Sequence, residues 1–152
     1  MTRRPFSLTI LVVACAGAAV ACGLTDSTSP SATPSVAGTW SYVESFTDNL
    51  NGLTCADTGI YNLVESAGSF SGTYVQTGVC RTTDRQVIDN SHKGSVTDGQ
   101  VTGRHILFKA PGCAYDGLIR VDDDNHVEGT VVCSASTGGT TFHLSGSWSA
   151  RR

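Results

Sequence analysis

The side chains best suited to nucleophilic, redox or metal chemistry in this 152-residue chain are six cysteines and four histidines. Cys15 and Cys22 lie near the N-terminus, whereas Cys55, Cys80, Cys113 and Cys133 are spread through the rest. A structural zinc site draws its thiolates from close pairs, and none of these four has such a neighbour. His92, His105, His126 and His143 show no ligand spacing, and His143 alternates with Phe142 and Leu144 and so points outward. Asp122-Asp123-Asp124-Asn125 lacks the D-x-[DN]-x-[DN]-G spacing of a calcium loop and reads as an acidic turn. No G-x-S-x-G elbow, H-E-x-x-H pair or phosphate loop occurs. The expectation is a protein without catalytic residues, metal or cofactor, and not an enzyme.

Cys22 stands apart by its surroundings. The chain begins Met1-Thr2-Arg3-Arg4, and Pro5 to Ala21 then carry no charge and end in small residues. A basic start, a short apolar centre and a small-residue end describe a signal peptide, too short to be a stable membrane span. Ala19-Val20-Ala21-Cys22 resembles the lipobox of bacterial lipoproteins. That resemblance implies cleavage before Cys22, its lipidation, and residence in the cell envelope at a membrane surface. The segment Gly23 to Pro34, rich in Ser, Thr and Pro, fits a flexible tether. Two rivals are an ordinary secretory signal with an incidental cysteine, and cleavage before Cys15, since Val12-Val13-Ala14-Cys15 also matches a lipobox. The second would leave the apolar stub Ala16 to Ala21 exposed. Thr2-Arg3-Arg4-Pro5-Phe6 resembles part of a twin-arginine signal. The expected division is a signal peptide over 1–21, a lipidated cysteine and tether over 22–36, and one folded domain over 37–150.

About 115 residues beyond the tether suffice for one compact domain. Loss of Arg3 and Arg4 takes the formal net charge from −3 to −5, and no basic cluster remains, so nucleic acid is not an expected partner. Short alternating runs of Val, Thr, Tyr, Ser and Ile, separated by Gly, Asp and Asn, predict an all-β fold. A theme recurs in Gly38-Thr39-Trp40, Gly72-Thr73-Tyr74, Gly94-Ser95-Val96, Gly129-Thr130-Val131 and Gly146-Ser147-Trp148. Each puts a glycine and a large apolar residue on one face, so a neighbouring ring can lie over the glycine.

Turn chemistry then sets registers. Ser66 to Ser69 pairs Leu63 with Gly72, Tyr61 with Tyr74 and Cys55 with Cys80. Asp122-Asp123-Asp124 pairs Ile119 with Val127, Tyr115 with Val131 and Cys113 with Cys133. Four cysteines allow three connectivities, and these registers select Cys55–Cys80 and Cys113–Cys133. Asp98-Gly99 reads as a two-residue turn, pairing Val96 with Val101 and Gly94 with Gly103.

Eight strands follow, over 38–47, 57–65, 70–78, 92–97, 101–109, 113–121, 125–133 and 140–149. An even number lets the first and last pair antiparallel, with 38–41 beside 146–149, closing an eight-stranded up-and-down barrel without edges. The alternative is a two-sheet sandwich. Turns 66–69, 98–99 and 122–124 share one end with the tether. Loops 48–56, 79–91 and 134–139 share the other with all four domain cysteines, so the mouth would face away from the membrane.

The predicted inner face is apolar but includes Glu44, Tyr61, Gln76, His105 and Tyr115 toward the middle or mouth. Buried polar groups need partners, and a small amphipathic or apolar ligand at the mouth could supply them. The competing expectation is a structural or interaction protein of the envelope, with these groups satisfying one another. A weaker alternative is an inhibitor of a secreted enzyme, contacting it through Arg81 and Arg85 of loop 79–91. Finally, Gly38-Thr39-Trp40 resembles the lipocalin G-x-W, and Gly68-Ser69-Phe70-Ser71-Gly72-Thr73-Tyr74 resembles an avidin strand. The resemblance to calycins implies a ligand-holding barrel. It does not imply biotin, since Trp40 and Trp148 are the chain's two tryptophans.

Overall fold

The computed structural model describes residues 33–137 and 139–152. The signal peptide, Cys22 and most of the tether lie outside them. Among the described residues there are nine strands and no helix. They are β1 Gly38–Asp48, β2 Leu53–Ser66, β3 Ser69–Arg81, β4 Val87–Asp89, β5 His92–Thr102, β6 His105–Ala110, β7 Cys113–Ile119, β8 His126–Thr137 and β9 Thr140–Arg151.

Eight of these close an antiparallel barrel, because β1 pairs with both β2 and β9 while β2 pairs with β3. The ninth, β4, is a short extra strand outside the barrel, laid against the end of β3. It lies within loop 79–91, which the sequence alone leaves unstructured. Closure is staggered relative to the sequence-based pairing. Ser41 meets Arg151 and Glu44 meets Trp148, so Gly38 to Trp40 extend past β9 and pair with β2 alone. Tilted strands in a barrel impose such a shear.

Inward residues alternate with outward ones as the strand period requires. The core holds Trp40, Tyr42, Phe46, Tyr61, Phe70 and Tyr74 from the first three strands, and Tyr115, Ile119, Val127, Val131, Leu144 and Trp148 from the last three. Glycines on this face are shelves for rings. A Cβ on Gly59 would lie 2.6 Å from the Tyr42 ring, and one on Gly117 would lie 2.8 Å from that of Trp148. At the connection Ala67-Gly68 both residues adopt positive φ, 51° and 77°. That geometry matches the strand twist of a two-residue hairpin.

One hairpin is corrected. Asp98-Gly99 is a β-bulge inside β5, not a turn. Thr97 pairs with Lys109 but Gln100 pairs with Leu107, leaving one extra residue. Asp98 takes up the kink at φ 55°. The real turn is Gly103-Arg104, with Thr102 opposite His105. Val101 therefore pairs with Ile106, and Val96 faces Gly72 of β3. This moves the inward face of β6 by one residue. Ile106, Phe108 and Ala110 are buried, while Leu107 is 42% exposed.

Connections 67–68, 103–104 and 120–125 mark the floor of the barrel, and 49–52, 82–86, 90–91, 111–112 and Gly139 its mouth. The last residues assigned to the tether belong with the floor. Pro34 and Val36 are buried. The Val36 amide donates to Glu65 Oε2 at 2.7 Å, and Trp40 Nε1 donates to the Val36 carbonyl at 2.8 Å.

Candidate functional site

The interior divides at an aromatic layer. Tyr42 stacks on Tyr61 with centroids 4.1 Å apart, and Phe108 stacks on Tyr115 at 4.4 Å. Trp148 stands edge-on to Phe108 and Tyr115, at 5.4 and 5.6 Å. Below this layer the residual void is about 10 Å³. Above it opens a cup of about 350 Å³, near the lower end of the range for small-molecule sites.

The wall of the cup is apolar over much of its extent, with Phe46, Leu53, Phe142, Leu144 and both cystines. The disulfides are Cys55–Cys80 and Cys113–Cys133, as the hairpin registers require. They fasten neighbouring strands at the rim. Among these apolar residues stand Glu44, Tyr74, Gln76, Asn90, His92 and Tyr115.

The polar groups form two linked sets. In one, the Tyr115 hydroxyl donates to Glu44 Oε2 at 3.0 Å. In the other, the Tyr42 hydroxyl donates to Gln76 Oε1 at 3.1 Å, and Gln76 Nε2 donates to Asp57 Oδ2 at 2.9 Å. Asn90 Nδ2 donates to the same carboxyl oxygen at 2.7 Å. Asp57 Oδ1 is buried without a partner. The Asn90 carbonyl accepts from Gln76 Nε2 at 3.1 Å and His92 Nδ1 at 2.8 Å. Asn90 and His92 follow directly on the extra strand β4, whose Ile88 also lines the cup, so this strand helps to complete it.

Buried acids here come in two conditions. Asp48, at the rim, accepts from the amides of Leu50, Asn51 and His143 and from Asn51 Nδ2. The Asn51 side chain, with those amides, holds the Asp48 carboxyl down to about 2. Glu44 is 5% exposed and has the Tyr115 hydroxyl as its donor. Burial pushes its carboxyl up to about 7; Tyr115 opposes this and the charge of Asp57 adds to it. Burial raises Asp57 as well, against the Asn90 hydrogen bond and the nearby His92.

Of the candidate ligand-lining residues, Glu44, Gln76 and Tyr115 line the cup together. Tyr61 lies lower, in the aromatic layer and at the edge of the small floor void. His105 is outside the barrel, because the turn at Gly103-Arg104 reverses the facing of β6; its Nε2 contacts Asp116 Oδ1 at 2.7 Å on the outer surface. Arg81 and Arg85 are exposed at the end of β3 and in the following loop. Sequence reasoning missed Asp57, Asn90 and His92 as parts of one site, and put Tyr74 on the inner face without assigning it to the site. Asp57 had a signal, since it follows Cys55 and precedes Tyr61 at even spacing along β2.

No protein-family model matches the chain, and no curated protein matches it. Among solved structures, the chain is similar to an S-type phycobiliprotein lyase from Guillardia theta at 10% identity and a TM-score of 0.43. The match covers 77% of this chain and 88% of that one.

Proposed function

We propose that this chain is an exported, lipid-anchored barrel that binds a small amphipathic or apolar ligand in the cup at its mouth. The observation that carries the reading is the division of the interior. A protein with a purely structural role has no need to hold open about 350 Å³ beside an underdonated carboxyl when its other half is filled. On β1, β3 and β7 the apolar and cystine residues Phe46, Cys80 and Cys113 lie nearer the mouth than the polar Glu44, Gln76 and Tyr115, which suits a ligand with one end of each kind. Anchoring rests on the sequence, through Cys22 and the signal-like residues before it. With the anchor joined at the floor, the mouth would turn away from the membrane.

Binding is tested by exposing the purified full-length protein to a mixed lipid and metabolite extract, followed by native mass spectrometry. A retained mass, lost when Leu144→Trp fills the cup, is expected; no retained mass overturns the reading. Anchoring is tested separately by fractionation. Cys22→Ala should move the protein from the membrane to the soluble fraction. Release by Cys15→Ala instead would transfer the role to the upstream cysteine.

A further inference from the structure

Beside the cup lie the buried acids Glu44 and Asp57, and the basic side chain on its wall is His92. Among the described residues no lysine or arginine is buried. Yet Glu44 and Asp57 stand directly opposite each other on β1 and β2, 5% and 2% exposed. A buried charge is costly unless it is paired. Asp48 shows how this fold satisfies an acid that it keeps for itself, with four N–H donors. Glu44 is not treated that way, and it borders the cavity. A second polar group on the same cavity is also left over. Tyr74 is 3% exposed, and its buried hydroxyl has no partner.

Building on the ligand-binding reading above, we propose that the cup takes a small organic ammonium ion with an apolar body, Glu44 serving as its counter-ion and the Tyr74 hydroxyl accepting one of its hydrogens. The apolar body would lie against Phe46, Phe142 and Leu144, which line the cup on β1 and β9 nearer the mouth than Glu44. A cation fits where a second anion would not, because Glu44 and Asp57 already repel negative charge. A neutral ligand leaves the Glu44 charge uncompensated.

The groups facing Glu44 give the proposal a pH signature. Tyr115 approaches from β7, Asp57 from β2, Tyr74 and Gln76 from β3, and His92 from the start of β5, while Tyr42 flanks it on β1. Strands β8 and β9 present Val131, Leu144 and Trp148, which carry no charge. In the empty cup burial leaves the Glu44 carboxyl partly protonated near neutrality. An ammonium ion favours the ionised carboxyl, so binding releases the fraction of a proton that Glu44 holds at the working pH, more at pH 6 than at pH 8.

The test is calorimetric titration of the full-length protein with phenethylamine, phenethyl alcohol and phenylacetate at pH 6 and pH 8, in buffers of different ionisation enthalpy. Phenethylamine should bind at least about tenfold more tightly than the alcohol at pH 8. Its affinity should fall by up to about tenfold at pH 6, following the ionised fraction of a carboxyl titrating near 7. Proton release should show as a buffer-dependent heat. Glu44→Gln should erase the preference for the amine over the alcohol and its pH dependence. Tyr74→Phe should weaken the amine by a few-fold more than the alcohol. If Glu44→Gln fails to fold, the pH and buffer dependence of the unmodified protein still decides. Equal binding of amine and alcohol, or preference for phenylacetate, overturns the ammonium assignment and leaves the cup a binding site. Binding of none of the three also overturns it, and the extract experiment then decides whether the cup takes another ligand.

Discussion

Below Tyr61 the barrel is filled by Trp40, Ile119, Val127 and Ala150, with about 10 Å³ to spare. Above it, the same eight strands enclose about 350 Å³ bordered by Glu44, Gln76 and Tyr115. Strand number and shear are common to both halves, so the difference comes from the side chains. In the floor, large residues meet from several sides, and Val36 with Pro34 plugs the end. In the mouth, cystines and short turns hold the rim apart while the inward positions of β8 and β9 fall to Cys133, Leu144 and Gly146. One half stores stability and the other spends some of it on an open polar site.

Truncation should therefore cost unequally. Trp40 is 2% exposed, bonded to the Val36 carbonyl and covered by Arg152 at 4.6 Å. Trp40→Ala should lower stability by about 3–5 kcal/mol, since the floor is too well packed to collapse around the loss. Phe142→Ala, at the half-buried rim, should cost about 1 kcal/mol. Denaturant unfolding of both variants checks the contrast, and equal losses would break it.

The rim depends on covalent ties more than on packing. Cys113 and Cys133 are separated by 20 residues, and the chain-entropy model gives such a cross-link about 3 kcal/mol. The double variant Cys113→Ser, Cys133→Ser should lose about that much in denaturant. Its cup should also bind ligand less tightly than its floor mutants do, because the strands that carry Tyr115 and Val131 lose their tie. An unchanged unfolding midpoint would mean that packing holds the rim unaided.

The acid in the cup should make stability depend on pH. The Glu44 carboxyl is raised from 4.5 to about 7 on folding. The folded state thus binds the proton more tightly than the unfolded chain. The stability contributed by protonated Glu44 is fully present below about 4.5 and is lost as pH rises through about 7. At 1.36 kcal/mol per pH unit the loss is about 3 kcal/mol. Asp57, also raised, adds in the same sense. Glu44→Gln should remove this fall and raise the melting temperature at pH 8. A variant that melted earlier at pH 8, with the pH profile unchanged, would show that Glu44 is paired in the free protein.

Much of this division can be read along the chain. The two cystines followed from hairpin registers because Ala67-Gly68 and the acidic turn are short and unambiguous, and because no bulge interrupts β2–β3 or β7–β8. The register failed where two turn signals compete. Asp98-Gly99 and Gly103-Arg104 both suit a reversal, and the first became a bulge that kinks β5. The composition of β6 held the correction. Ile106, Phe108 and Ala110 form a more apolar face than His105, Leu107 and Lys109. The cup itself was legible through Glu44, Gln76 and Tyr115 but not through Asn90 and His92. Those two are brought in by β4, a three-residue strand whose exposed residues show no alternation of burial. Nor does local sequence give the shear that carries Glu44 to the level of Trp148.

The smallest effect concerns the Tyr74 hydroxyl. Its ring lies over Gly94 and packs edge-on to His92 at 5.4 Å, contacts that phenylalanine keeps. Its hydroxyl makes no hydrogen bond while buried, so removing it relieves a desolvated group instead of breaking a bond. Tyr74→Phe should leave stability unchanged or raise it by about 1 kcal/mol. Tyr42, whose hydroxyl is bonded to Gln76, should lose stability on the same change. Gain in stability with loss of amine affinity would mark the hydroxyl as kept for a ligand. A loss of stability would instead mean that the hydroxyl has a partner in the free protein, and would remove Tyr74 from the site.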